Sequence, residues 1–99
     1  MKWLTLNEIK DQLRIERDYN DENDKLEMYG DSAEEMVLEL CQRSYDDFVT
    51  KYGKIPTPVR EASLMLVVAS YEVGSAVSMQ QMYDVGCGFG FKIKPYMKL

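Results

Sequence analysis

Apolar residues recur along this chain at helical spacing, and the punctuation between them divides it into helices. Leu6, Ile9 and Leu13 share one face of a first helix over about 5–15. Thr5 is its N-cap, Glu8 follows at capping-box spacing, and Leu4 can meet Ile9 as a hydrophobic staple. Residues 16–24 form an acidic connection. Its end suits the start of a second helix over 21–44, capped by Asn20 or Asp21, because carboxylates favour the positive end of the helix dipole. Leu26, Ala33, Met36, Val37, Leu40 and Cys41 carry its apolar face, and Asp21/Lys25 and Glu39/Arg43 are favourable i,i+4 pairs. Gly30 lies on the same side as Leu26, Ala33 and Val37. It costs up to about 1 kcal/mol against alanine inside a helix, so its place there implies close helix packing.

Ser44 caps a short helix over 45–52 that Gly53 stops. Thr57 caps the third main helix, over 57–80, with Pro58 at the first helical position, where its missing N–H is harmless. Val59, Ala62, Leu66, Ala69, Val73 and Ala76 make one apolar face of this helix. Ser63, Ser70, Gly74 and Ser78 make a second face of small residues, open to close approach by its own partners or a neighbouring subunit. Asp84 to Phe91, with glycines at 86, 88 and 90, reads as a loop. A second short helix is expected over 89–94, followed by a solvated tail of aromatic and basic residues. The chain is therefore expected to be all-α and a single domain over 1–99: a small bundle of three main helices and one or two short ones, with a glycine-rich loop and a C-terminal tail. The weakly charged stretch 62–83 is broken by Glu72, several serines and a glutamine pair, so it reads as a buried helix and not a membrane span. Polar residues arrive by Asn7 and Glu8, too early for a signal peptide.

Charge narrows the function. The net charge is −5 over 99 residues, but it is uneven: residues 1–50 hold six Lys/Arg and fourteen Asp/Glu, and residues 51–99 hold six and three. Such a chain is poorly equipped to grip phosphates, since nucleic-acid affinity rests on cations. There is no histidine, which removes the usual general acid–base residue and the Ser-His and Cys-His nucleophile pairs. Glu34/Glu35 and Asp46/Asp47 sit in polar runs and read as solvated helix surface. Cys41 and Cys87 fit neither a zinc spacing nor a disulfide framework and read as free thiols. Asp21, Asn23 and Asp24 lack the glycine and distal glutamate of a calcium loop. The glycines 86, 88 and 90 lack the Gly-Lys-Ser/Thr of a phosphate loop. No catalytic residue, metal ligand or cofactor is expected, and the protein is not expected to be an enzyme.

Leu4-Thr5-Leu6-Asn7-Glu8-Ile9-Lys10-Asp11-Gln12-Leu13-Arg14-Ile15 resembles the opening Leu-Thr-Leu-x-Glu-x-Lys-x-x-Leu-Arg-Ile of the tailed-phage head–tail connector family, also called phage DNA-packaging proteins. The acidic connection, the Leu26–Leu40 helix, the Ile55-Pro56 entry to the third helix, Tyr71 near that helix's middle and the closing Lys94-Pro95-Tyr96 are similar too. The chain departs from the family where Glu72-Val73-Gly74 stand in place of frequent basic residues, and over 44–54. The resemblance implies a phage or prophage structural protein that forms a homo-oligomeric ring, commonly of twelve copies, beneath the portal protein. The ring would complete the head after packaging and offer a platform to a tail-side connector protein. Double-stranded DNA would pass through its bore without specific binding, and no membrane is involved. Its place would be the virion head–tail junction, reached from the host bacterial cytoplasm during assembly. The residues expected at a subunit or portal interface are Ser70, Gly74, Ser78, Phe89, Phe91, Lys92, Lys94 and Tyr96. The alternative is a small helical DNA-binding or packaging-accessory protein, whose basic face could only be Lys92, Lys94 and Lys98.

Overall fold

Four α-helices follow one another in the computed structural model, which describes residues 1–74 and 94–96: α1 Leu6–Leu13, α2 Asn23–Cys41, α3 Tyr45–Tyr52 and α4 Thr57–Val73, with a 3-10 turn at Lys94–Tyr96. The all-α bundle is as the apolar periodicity requires. Its ends are set by local chemistry. The Thr5 Oγ1 accepts the Glu8 N–H at 3.2 Å and opens α1. The Glu8 carboxylate meets the Thr5 hydroxyl and Arg60 of α4, 3.2 Å away in each case. Arg14 turns into the left-handed region at φ 61° and closes α1 at Leu13.

α2 starts later than its expected caps, after Glu22, and Asn20 has other work. Its Oδ1 accepts from Asn23 Nδ2 and from Lys10 Nζ, which also donates to the Arg17 carbonyl at 3.0 Å. The buried Lys10 thereby straps the 14–22 connection over α1. Asp21 falls outside the helix, so the Asp21/Lys25 pair is not formed within it; Lys25 lies over the Tyr29 ring instead, 5.9 Å from its centroid. α2 ends at Cys41 because Gln42 adopts φ 54°. This stop comes before Arg43, which removes the expected Glu39/Arg43 helical pair.

Ser44 and Asp47 form the full reciprocal capping box of α3, and Gly53, at φ 78°, stops it. α4 is capped by Pro56, not Thr57, so Pro58 is its second residue. It ends at Val73, where Gly74 takes φ 89° and returns its N–H to the Ser70 carbonyl at 2.9 Å. A positive φ interrupts the continuous helix expected to reach 80, and it leaves Tyr71 near the end of α4 instead of its middle. Residues 75–80 and the proposed helical residues 89–93 lie outside the described residues.

The core lies mainly between α2 and α4, with α1 across both. Leu26, Tyr29, Val37, Cys41, Phe48, Val59 and Leu66 are buried in it together with Ile9 and the N-terminal Trp3 and Leu4. Gly30 packs where the sequence places a close approach. A methyl group there would collide with the Met1 side chain and come within 3.3 Å of Ile9 Cδ1. The buried side of α4 is Val59, Ala62, Ser63, Leu66, Val67 and Ser70, so two of the small residues face the subunit's own interior. Each serine hydroxyl donates to the carbonyl four residues back, Ser63 to Val59 and Ser70 to Leu66.

Glu34 overturns its expected place on the solvated surface. It is 5% exposed, and its two oxygens accept the backbone N–H groups of Lys2 at 2.7 Å, Trp3 at 3.0 Å and Leu4 at 2.9 Å. Those three donors belong to an extended segment with no helix or sheet to satisfy them, and a buried unpaired N–H costs about 1–3 kcal/mol. One carboxylate therefore fixes the N-terminal segment on α2. The segment then reaches two further elements: Trp3 Nε1 donates to Ser63 Oγ of α4 at 3.1 Å, and its ring stacks on Tyr45 of α3 at 6.2 Å.

Candidate assembly interface

Two regions of the described surface carry clustered charge beside exposed apolar side chains. The first is the outer face of α2. Its buried stripe uses up one side of the helix, leaving Asp24, Glu27, Met28, Asp31 and Glu35 exposed along the other. Met28 is 54% exposed among these acids. Asp31 meets the Met1 amine at 2.9 Å, and Asp24 sits in the first turn, where a carboxylate complements the helix dipole.

The second region forms beyond the C-terminus of α2, from α3 and the 3-10 turn. Arg43 Nε donates to the Tyr96 carbonyl at 2.7 Å, and the Tyr96 ring meets Tyr52 edge-on at 5.4 Å. These two contacts seat Lys94-Pro95-Tyr96 on the bundle, where Lys94 and Pro95 are exposed and Tyr96 is half-buried. The part of the tail expected to be solvated is thus docked at 94–96. Lys51 lies over the Tyr52 ring, 5.5 Å from its centroid. Val49, 37% exposed, and Tyr52, 36% exposed, give this region an apolar component, with Lys51 and Lys94 beside it and the exposed Asp46 and Asp47 at the start of α3.

Asp11, Tyr71 and Cys41 are each shifted from their ordinary pKa by their surroundings within the fold. The Arg17 guanidinium, bonded to Asp11 at 2.6 Å, holds that carboxyl below its ordinary range. Tyr71 donates to Glu22 Oε2 at 2.9 Å, which pins the end of α4 to the start of α2 and raises the phenol's pKa. Burial pushes the Cys41 thiol up to about 11, against a smaller opposing pull from Arg43. A thiol held neutral this way is a poor nucleophile or metal ligand. Among the described residues no group of three or more Cys, Asp or Glu is placed to hold a metal ion, and no helix is long and apolar enough to cross a membrane.

The residues expected at an interface fall in three places. Ser70 is 2% exposed within the subunit. Gly74, Lys94 and Tyr96 reach the surface, with Lys94 and Tyr96 brought together by the turn. Ser78, Phe89, Phe91 and Lys92 lie outside the described residues. Sequence reasoning missed the anchoring residues Arg43 and Tyr52. The basic Arg43 just past an α2 stop, 53 positions before its partner, carries no local signal of that pairing.

No curated protein and no solved structure matches the chain. A family model does: that of the phage gp6-like head-tail connector protein, over residues 4–96. The match takes in all four helices and the Lys94–Tyr96 turn. By this match the chain belongs to the phage gp6-like head-tail connector family, a family of structural phage proteins.

Proposed function

We propose that the protein assembles as a ring beneath the portal, completes the phage head after DNA packaging and provides the platform on which the tail-side connector docks. The family match across residues 4–96 carries this reading. Ring formation needs two different patches on each copy that meet head to tail, and the α2 face and the α3–turn face are two such patches. Gly74, Lys94 and Tyr96, with Ser78, Phe89, Phe91 and Lys92, are the residues proposed to contact a neighbouring subunit or the portal. Residues 1–50 carry a balance of −8 from their six bases and fourteen acids. Where acids of this half face the bore, that excess, multiplied around a ring, repels phosphates, so DNA passes a lining that does not hold it. The assembly site is the virion head–tail junction, supplied from the host bacterial cytoplasm.

The reading is tested by mixing the purified chain with its portal protein and imaging the product by negative-stain electron microscopy. A ring of regular stoichiometry stacked coaxially on the portal is the expected outcome. Tight, salt-sensitive DNA binding by the monomer, with no association to portal, would replace this reading with the DNA-binding alternative.

A further inference from the structure

We infer that neighbouring copies join through the acidic face of α2 on one subunit and, on the next, the lysine- and tyrosine-bearing surface formed by the last turn of α3 (Lys51, Tyr52) and the Lys94–Tyr96 turn. The inference rests on the ring reading and adds which surfaces meet. Within the described residues the ion pairs are Met1–Asp31, Arg17–Asp11 and Arg60–Glu8. Glu27 and Glu35 on the first face, and Lys51 and Lys94 on the second, enter none of them. The fold keeps these opposite charges apart, since one set lies along the first two thirds of α2 and the other lies beyond its C-terminus.

A second copy fits because each face supplies what the other lacks. Acid on α2 meets lysine on the turn. The exposed Met28 thioether meets an aromatic surface at Tyr52 and Tyr96, a contact that sulfur favours at a ring edge. The two faces differ, so the contact is heterologous and repeats around a closed ring. The turn belongs to the interface only while Arg43 and Tyr52 hold it, which gives their contacts to Tyr96 an assembly role. The acids of the 14–22 connection, Glu16, Asp18 and Asp21, stay outside this contact and remain available to face DNA.

Charge exchange tests the pairing. Glu27→Lys with Glu35→Lys reverses the first face, leaving Asp24 to the helix dipole and Asp31 to its amine. Lys51→Glu with Lys94→Glu reverses the second. All four positions are exposed, and unchanged helical circular dichroism confirms that each variant folds. In analytical ultracentrifugation, run on the chain alone or, if it assembles only there, on its portal, each double variant is expected to associate at least about tenfold more weakly than the unaltered chain, which itself weakens as salt is raised. An equimolar mixture of the two variants restores both contacts and yields assemblies of even copy number in which they alternate. Normal rings from either variant alone, or no recovery on mixing, overturns the pairing while leaving the ring intact. An unaltered chain that associates neither alone nor on its portal overturns the pairing and the ring reading together.

Discussion

The two ends of the described chain are each tied down by a charged side chain from the C-terminal half of α2 or just beyond it, and the two ties differ in kind. At the N-terminus, Glu34 is buried and accepts three backbone donors at once. At the other end, Arg43 makes one hydrogen bond to the Tyr96 carbonyl in a partly exposed setting. A buried carboxylate and its three donors are mutually dependent, because losing one partner leaves the others desolvated and unpaired. An arginine near the surface can exchange its single carbonyl for water at a smaller cost. The first tie is part of the fold, and the second is suited to holding a segment that also has business with a neighbour.

The largest test of this contrast is Glu34→Ala. It strips acceptors from the N–H groups of Lys2, Trp3 and Leu4 and should cost about 3–5 kcal/mol. That is much of the stability of a small domain. Urea denaturation followed by circular dichroism measures it, and a loss below about 1 kcal/mol would show that water reaches the N-terminal segment and satisfies its donors.

Why the sequence hid this residue is clear from the register. Gly30, Glu34, Val37 and Cys41 fall on one face of α2, and Glu34 is in phase with the apolar stripe. Beside Glu35 it looks like half of a solvated acidic pair. Its partners are main-chain N–H groups thirty or more positions away, and main-chain donors leave no mark in a sequence. Features that depend on adjacent residues were legible: the Thr5 and Ser44 caps, the Gly53 stop, the all-α class and the close approach at Gly30. The end of α1 near Arg14 was legible too, but the break at Gln42 was not, since glutamine does not favour a positive φ by itself. The small-residue stripe of α4 was visible, but periodicity gives only the spacing of a face and not its direction. Packing against α2 turned Ser63 and Ser70 inward.

A smaller effect separates the backbone clamp from the ring it positions. In Trp3→Phe the main-chain bonds to Glu34 remain, while the indole N–H to Ser63 Oγ is lost. Ser63 keeps its bond to the Val59 carbonyl, so no donor is stranded, and the expected cost is about 1 kcal/mol from one neutral hydrogen bond and a smaller ring. A loss matching that of Glu34→Ala would move the anchor from the carboxylate to the indole.

A small effect on the core is expected at the other tie, and Cys41, between the two anchors on α2, reports it. Burial keeps its pKa near 11 in the folded state against 9.0 ordinarily. Raising the pH from 9 toward 11 therefore favours the unfolded thiolate, and this group's contribution to stability, complete below pH 9, is lost across that window. At pH 8, labelling of Cys41 by a thiol reagent proceeds through opening of the core. With Cys87→Ser removing the other thiol, Glu34→Ala should speed that labelling by about a hundredfold or more, following its loss of stability. Arg43→Ala should speed it by about tenfold at most, because its partly exposed bond to the Tyr96 carbonyl costs about 1.5 kcal/mol to lose and does not join α2 to α4. Removing Arg43 also removes the one cation that lowers the Cys41 pKa, so any direct electrostatic effect slows the reaction. A large acceleration in Arg43→Ala would show that Arg43 supports the core, through the Lys94–Tyr96 turn or through the Phe48 ring it covers at 6.0 Å, and that the two ends of the chain are not held so differently.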